Sequence, residues 1–546
     1  MDPGRDLGGA VAVAEDPLVR VADRPEAPRP GLVTRAKTRL FSDGSLTKKA
    51  SLNSVAQALD YAARAITGLV VNPILLHHLG DTGFGNWQVL QRLIGHTNPA
   101  GGRPAEALKW FVANRQSSTD LEDKRRAVGS AVAVWLIFLP ILLPIGLAIS
   151  WFAPGWMHVP PAGAWIIRIA GMVLIADIIV AGITNIPWAV MAGQNVAYKR
   201  MGLTASLEFV EGILLVVAAV MGFGLVGIAV ATVAGTTVIG ATYFWLTRIY
   251  VPWFGYAKPD MPAVRRFLSL SWWFLVWNFV MKVTMGGDII VLGIAGTASE
   301  VTVYSLTRFV PITIMAGVTS LVFGMAPGLG GLIGAGETSR ASRVRNETMA
   351  AAWMMATVAG AGVLLWERSF LRLWVGERYY PGLGPTLLIV LMVVQLTVIR
   401  VDSNIIDLTL NLRRKVLLGV VSIGLSVALA WLFVAEYHLG IAGVVTGFVL
   451  GRIPQSLAYP SMIGRILHIP LWSQLKGLLR GALTTGALFG LTAVGGEILT
   501  VRTWIGLIVV SVVSGAVLIA GAFFGGLSAQ QRRWLWSRAR RVARLR

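Results

Sequence analysis

Asp60 and Arg64 stand four residues apart in DYAARAITGLV, inside an apolar run long enough to cross a bilayer. On a helix that spacing puts both side chains on one face. An arginine at the bilayer centre costs at least about 2.5 kcal/mol, so something must offset it. Two chemistries can. Asp60 neutralises Arg64 in a structural ion pair, or Arg64 faces a wet cavity and grips an anion. Other apolar runs carry the same kind of residue: Arg168 and Asp177, Glu208 and Glu211, Lys282 and Asp288, Arg308, then Arg400, Asp402 and Asp407, and Arg452. Arg400, Asn404 and Asp407 share a helical face at i, i+4 and i+7. Lys282 holds in the second half the place that Arg64 holds in the first, and Arg308 and Arg452 have no carboxylate on their own face. The cations Arg64, Arg92, Lys282, Arg308, Arg400 and Arg452 are therefore the expected anion-binding set, focused by low-dielectric walls on one cavity. Asp60, Asp288 and Asp407 are the candidates for coupling to H+ or Na+; a salt bridge to a neighbouring helix is the competing role for each.

Composition says what must position these groups. Of 546 residues, 55% are hydrophobic and 14% charged, and mean hydropathy is +0.67. Soluble domains are about 25% charged. The reading is an all-α polytopic membrane protein. There is no cysteine, which excludes disulfides, thiolate metal sites and cysteine nucleophiles. The six histidines form no metal-ligand spacing, and His77 and His78, being adjacent, point apart on a helix. No metal and no cofactor are expected. A net charge of +21 in such a chain points to anionic lipid rather than nucleic acid. No apolar segment in residues 1–50 resembles a cleavable signal.

Fourteen spans are expected: 52–79, 84–112, 127–152, 163–191, 201–222, 225–249, 264–293, 300–334, 347–368, 383–411, 415–435, 439–464, 474–496 and 502–526. The second is broken at its centre, IGHTNPAGGRPAEAL, by Pro99, Gly101, Gly102 and Pro104. Around the spans the chain divides into a Pro-rich, basic cytoplasmic tail (1–50), an N-lobe (51–250, spans 1–6), a C-lobe (251–470, spans 7–12), two extra spans (471–527) and a basic interfacial helix (528–546). That last segment holds seven arginines and two tryptophans in QQRRWLWSRARRVARLR. With both termini cytoplasmic, nineteen Lys and Arg fall in inner loops, among them Lys124, Arg345 and Lys415, and four in outer loops: Arg368, Arg372, Arg378 and Arg502. That is a strong positive-inside bias.

The halves repeat. LGDTGFGNWQVLQRL links spans 1 and 2, and IAGTASEVTVYSLTRFV links spans 7 and 8. Each has a small-residue turn, an aromatic (Trp87, Tyr304) and then an arginine (Arg92, Arg308). Six spans separate them, which relates the lobes by a pseudo-two-fold along the membrane normal.

Five stretches resemble a known family. LGDTGFGNWQVLQRLIG, NIPWAVMAGQNVAYKR, GGDIIVLGIAGTASEVTVYSLTRF, GMAPGLGGLIGAGE and FLRLWVGERYY, in order between about residues 50 and 470, are similar to hairpins and junctions of polysaccharide transporters in the multidrug/oligosaccharidyl-lipid/polysaccharide exporter superfamily. The resemblance implies a bacterial or archaeal cytoplasmic-membrane flippase for polyprenyl-diphosphate-linked oligosaccharides such as O-antigen units, lipid II flippase-like, working beside a glycan polymerase or glycosyltransferases. By position, Arg64 and Arg308 match the family's cavity arginines. The second span departs from the family: TNPAGGRPAEAL stands where an acidic, DLGL-like stretch is usual.

Two other classes compete. A multidrug or cation antiporter of the same superfamily would want a carboxylate-rich cavity, and the mid-membrane cations argue against it. A membrane glycosyltransferase or ligase would need an outer catalytic loop; WERSFLRLWVGERYYPGLG, with Glu367, Arg372 and Glu377, is short for that. A transporter, not an enzyme, is the expectation.

Overall fold

The computed structural model describes residues 46–546, apart from 117, 197–198, 200–201, 408–411 and 545–546. The expected N-terminal tail thus lies outside the described residues as far as residue 45. The chain divides into a first unit, Met1–Lys48, of which only the start of one helix is described, and a second, Lys49–Arg546, which holds everything below.

No strand occurs among the described residues. Apolar runs make the helices, and proline or a polar cap starts many of them. In the first half of the chain these are α1 (Leu46–Gly95), α2 (Pro104–Asn114), α3 (Leu121–Trp156), α4 (Pro161–Gly193), α5 (Leu203–Val220) and α6 (Gly224–Tyr250). Pro104 and Pro161 open their helices, where a missing N–H costs nothing. Asp120 caps α3 by accepting from the Asp123 N–H at 2.9 Å. In the second half come α7 (Met261–Ala295), α8 (Ala298–Thr307), α9 (Phe309–Gly334), α10 (Thr338–Trp374), α11 (Leu383–Asp407), α12 (Leu412–Trp431), α13 (Gly440–Gly451) and α14 (Ile453–Leu467). Thr297 and Glu300 form a capping box that starts α8. The last three are α15 (Leu471–Ile498), α16 (Trp504–Gly521) and α17 (Ala529–Arg544).

Among the described residues, eleven helices are long and apolar enough to cross a membrane, or twelve if the bent pair Ala298–Thr307 and Phe309–Thr319 is one span. That is fewer than the fourteen expected. The first expected span and the start of the second share one helix, α1, divided at the non-helical Gly80 (φ 69°, ψ 175°), a conformation open to glycine; the eighth is the bent pair, and α15, the thirteenth, is not among the eleven. Where a break was expected, in the second span, there is one. The chain leaves α1 through a 3-10 turn, Asn98–Gly101, and turns at Gly102 (φ 68°) and Arg103 (φ 45°) into α2.

Lipid replaces water as the outer solvent. Ile505, Leu491, Ile498 and Val512 on α15 and α16 are about 70% exposed or more, a pattern a soluble surface could not carry. The inner helices behave oppositely: α10 packs against α9, α11, α15 and α16. Close approaches fix that packing. A Cβ at Gly496 would stand 2.2 Å from the Leu364 carbonyl, and Trp353 Nε1 donates to Thr485 Oγ1 at 3.1 Å.

α7 is one of the helices that link the earlier and later parts of the chain. It packs against α2 and α3 before it and against α8, α12 and α13 after it. Its glycines let the second half of α1 lie close: a Cβ at Gly293 would stand 2.2 Å from Val89, and one at Gly286 would press on the Arg92 side chain. The two repeated hairpins meet at one end of this seam. Gly85 lies against the Ala298 carbonyl, which an added Cβ would approach to 1.9 Å. Thr302 Oγ1 donates to the Asp81 carbonyl at 2.6 Å, and Tyr379 and Arg378, beyond α10, both donate to the Asp81 carboxylate.

Candidate functional site

Two neighbouring cavities occupy the interior where charge was expected. The larger, about 700 Å³, lies among α1 to α6. α1 brings Asp60, Tyr61 and Arg64 to it, the broken second span brings Arg103 and Glu106, and α5 brings Glu208 and Glu211. Of the two roles weighed for Arg64, the ion pair with Asp60 is not what the structure shows. Arg64 Nε donates to Glu208 Oε1 at 2.7 Å, so its nearest carboxylate comes from another helix. The reason is reach: a guanidinium that turns into the cavity meets α5, whereas Asp60 is 7% exposed on its own helix. Four carboxylates and two arginines line this cavity, so it is not the purely cationic space expected.

The smaller cavity, about 520 Å³, lies between α1, α4, α6 and α7. Arg92, His96 and Lys282 face it, with Asp177 as its one carboxylate. Asn98 and Ile178 line both cavities, so the two adjoin at the broken second span. Irregular backbone at membrane depth belongs at such a place, where it lines polar space. Arg92 is exposed to this cavity and Lys282 partly so, and neither makes an ion pair among the described residues. Arg103 reaches across to donate to Asn278 Oδ1 on α7 and also lies 3.7 Å from Glu106.

The remaining expected anion-binding residues do not join them. Arg308 has a carboxylate after all, on the preceding helix: its Nη1 donates to Asp288 Oδ2 at 2.7 Å, and Tyr304 donates to the same oxygen at 2.6 Å. Arg308 is 6% exposed and Asp288 1%. Arg308 sits where α8 gives way to α9, a bend of 46°, and this turns its side chain back toward α7. Arg452 sits at the corresponding break between α13 and α14 and is 1% exposed. Its Nη2 donates to the Thr284 carbonyl at 2.6 Å and its guanidinium lies 5.1 Å over the Phe448 ring. Its Nε and Nη1 find no partner among the described residues. Asp288 therefore anchors a buried cluster. Arg308 and Arg452 lie beneath the smaller cavity's wall without lining either space.

The α11 residues scatter in the same way. Arg400 lies 3.5 Å from the Met281 sulfur. Asp407 accepts from Lys415, whose ammonium also stands 3.8 Å from the Trp277 ring centre. Asp407 is thus held in a salt bridge, the competing role foreseen for it.

Other charged groups were legible only in part. Glu208, Glu211 and Asp177 stood out as intramembrane charges but carried no assigned role. Arg103, Glu106 and His96 lay in a segment readable only as a break. Arg345 and Lys415, taken as loop cations, are buried: Arg345 grips both oxygens of Asp402 at 2.8 and 3.0 Å. Lys124, taken likewise, is buried and donates to the Ser118 carbonyl at 2.8 Å.

No protein-family model matches the sequence, and no curated protein matches it. Solved structures do match in fold. Lipid II flippase MurJ, in an inward closed conformation, superposes with a TM-score of 0.64 at 10% identity, over 85% of this chain and 97% of that one. An inward-facing multidrug resistance MATE family transporter of the MOP superfamily gives 0.59 at 16% identity, over 80% and 98%. An outward-facing one gives 0.55 at 16%, over 78% and 97%. At such identities the likeness is one of fold: the chain is an all-helical polytopic membrane protein built as those structures are.

Proposed function

We propose that this protein is a flippase that moves a polyprenyl-diphosphate-linked oligosaccharide across the cytoplasmic membrane, from the inner to the outer leaflet, by alternating access between its lobes. One observation carries the reading. Arg92 from α1 and Lys282 from α7 reach one cavity from opposite halves, with His96 beside them, and neither has an ion-pair partner among the described residues. Two unpaired cations facing polar space would hold a diphosphate, and rocking of one half against the other would separate them and release it. The membrane potential supplies about 2.3 kcal/mol per charge per 100 mV to an anionic head leaving a negative interior. The MurJ fold likeness fits this reading.

The test is transport in proteoliposomes of a fluorescent polyprenyl-diphosphate oligosaccharide. Arg92→Gln and Lys282→Gln should each lower the rate about tenfold, the worth of one charge-assisted contact. Full rates in both variants would end the reading. Its orientation is checked with single cysteines at Gly155 and Lys258, both exposed: the first should label from outside, the second only after permeabilisation.

A second reading is favoured by a different observation. The larger cavity holds Asp60, Glu106, Glu208 and Glu211 against Arg64 and Arg103. Such a space suits an organic cation exchanged for protons or Na+, as in a multidrug antiporter. Efflux of a fluorescent cation from the same vesicles, lost in Glu208→Gln and kept in Lys282→Gln, would select it.

A further inference from the structure

Glu367 is a buried carboxyl that no interaction among the described residues explains. It lies on α10, is 2% exposed, and its Oε1 has no hydrogen-bond partner among the described residues. A carboxyl left so in apolar surroundings is costly unless something meets it. Its side chain lines a separate cavity of about 290 Å³ between α9, α10 and α16. Neither transport cavity includes it.

The walls define what could fit. They are mostly aliphatic, with Trp366 and Phe370 as aromatic faces and the hydroxyls of Ser511 and Ser514 opposite. Ser514 already accepts from Trp366 Nε1 at 2.9 Å. Gly362 and Gly515 also line the space, and a Cβ at either would meet nothing within 4 Å, so the room is real on both α10 and α16. A bare metal cation would find one carboxylate and two hydroxyls, too few oxygens for a hard ion. A neutral apolar molecule would leave the carboxyl unmet. An organic ammonium answers both walls: its N–H donates to Glu367, its charge lies near aromatic faces, and its carbon body covers the aliphatic wall. At about 30 Å³ per water, the volume holds about ten waters, so the ligand is compact.

We propose that the Glu367 cavity is a binding site for a compact organic monoammonium ligand with an apolar or aromatic body, held in place there and not carried. The site stands on its own observations and is independent of both transport readings.

The experiment uses the full-length protein in lipid nanodiscs, with benzylammonium as probe and benzyl alcohol as its uncharged analogue, read by calorimetric titration. Benzylammonium should bind saturably and at least about tenfold more tightly than the alcohol. Glu367→Gln should remove that preference. Gly515→Leu fills the cavity without touching Glu367 and should abolish binding of both probes. It decides the matter if the Glu367 variant does not fold. No saturable binding to the parent protein, equal affinity for ammonium and alcohol, or undiminished binding in Gly515→Leu would each overturn the proposal.

Discussion

Arg64 pairs with Glu208, 144 residues further along, and not with the aspartate one turn behind it. The pair faces the larger cavity, with the Arg64 side chain 62% exposed and Glu208 14%. Exposure of that order keeps its worth to stability near 0–1 kcal/mol. Removing Arg64 alone strands Glu208 beside Glu211. Arg64→Gln should therefore slow transport more than the double change Arg64→Gln with Glu208→Gln, which we expect within about twofold of the parent. A double variant as slow as the single one would mean that Arg64 touches substrate.

The Asp288 cluster should respond in the opposite way, through stability. Asp288→Asn leaves Arg308 and Arg452 buried without a counter-charge, a change that costs about 3–5 kcal/mol. Tyr304→Phe removes a hydroxyl that donates to the Asp288 carboxylate and should cost about 1.5–3 kcal/mol. Thermal unfolding in detergent measures both. Adding Arg308→Gln to Asp288→Asn should recover much of the loss; no recovery would put the cost in something other than the stranded charge.

At the meeting of the hairpins, Gly85 admits no side chain, because the Ala298 carbonyl fills the space a Cβ would need. Gly85→Val should force the hairpins apart at a cost of about 1–3 kcal/mol. A cysteine at Asn86, which is 9% exposed, should then label faster with an aqueous maleimide than in the parent. Equal labelling rates would show that the seam yields elsewhere.

Beyond α10, Arg368 donates to Glu377 at 2.8 Å and, with Arg372 nearby, holds its carboxyl below the usual carboxylate range. A depressed carboxylate lends stability that is present above its unfolded pKa of about 4.3 and is lost as pH falls through the lower folded value. This loop should thus be indifferent to pH at neutrality and loosen only in acid. Amide exchange around Glu377 should rise below about pH 4 in the parent and show no such step in Glu377→Gln.

Much of this architecture is written locally. Apolar runs gave the helices, and Pro99, Gly102 and Pro104 gave the break that now lines both cavities. Arg92 and Lys282 were named from the repeat and from their depth, and they do face one space. Partners across helices were not written there. Arg308 finds Asp288 because the chain bends at the α8–α9 junction, and a face-by-face reading of one helix cannot see a neighbour. Arg345 and Lys415 sit near helix ends, where sequence cannot separate a solvated charge from one folded inward onto Asp402 or Asp407.

The Asp288 cluster also bears on how the protein enters its membrane during synthesis. Asp288 and Arg308 are only 20 residues apart, on helices that follow one another. They can neutralise each other as soon as that pair of helices leaves the translocon, so the hairpin inserts without a naked charge in lipid. Arg452 arrives far later, and the carbonyl that receives it, at Thr284, was made 168 residues earlier. Until the two ends of this half come together, that arginine has no docking point. Its capture therefore comes late in synthesis, and a chain that ends between Arg308 and Arg452 lacks this contact.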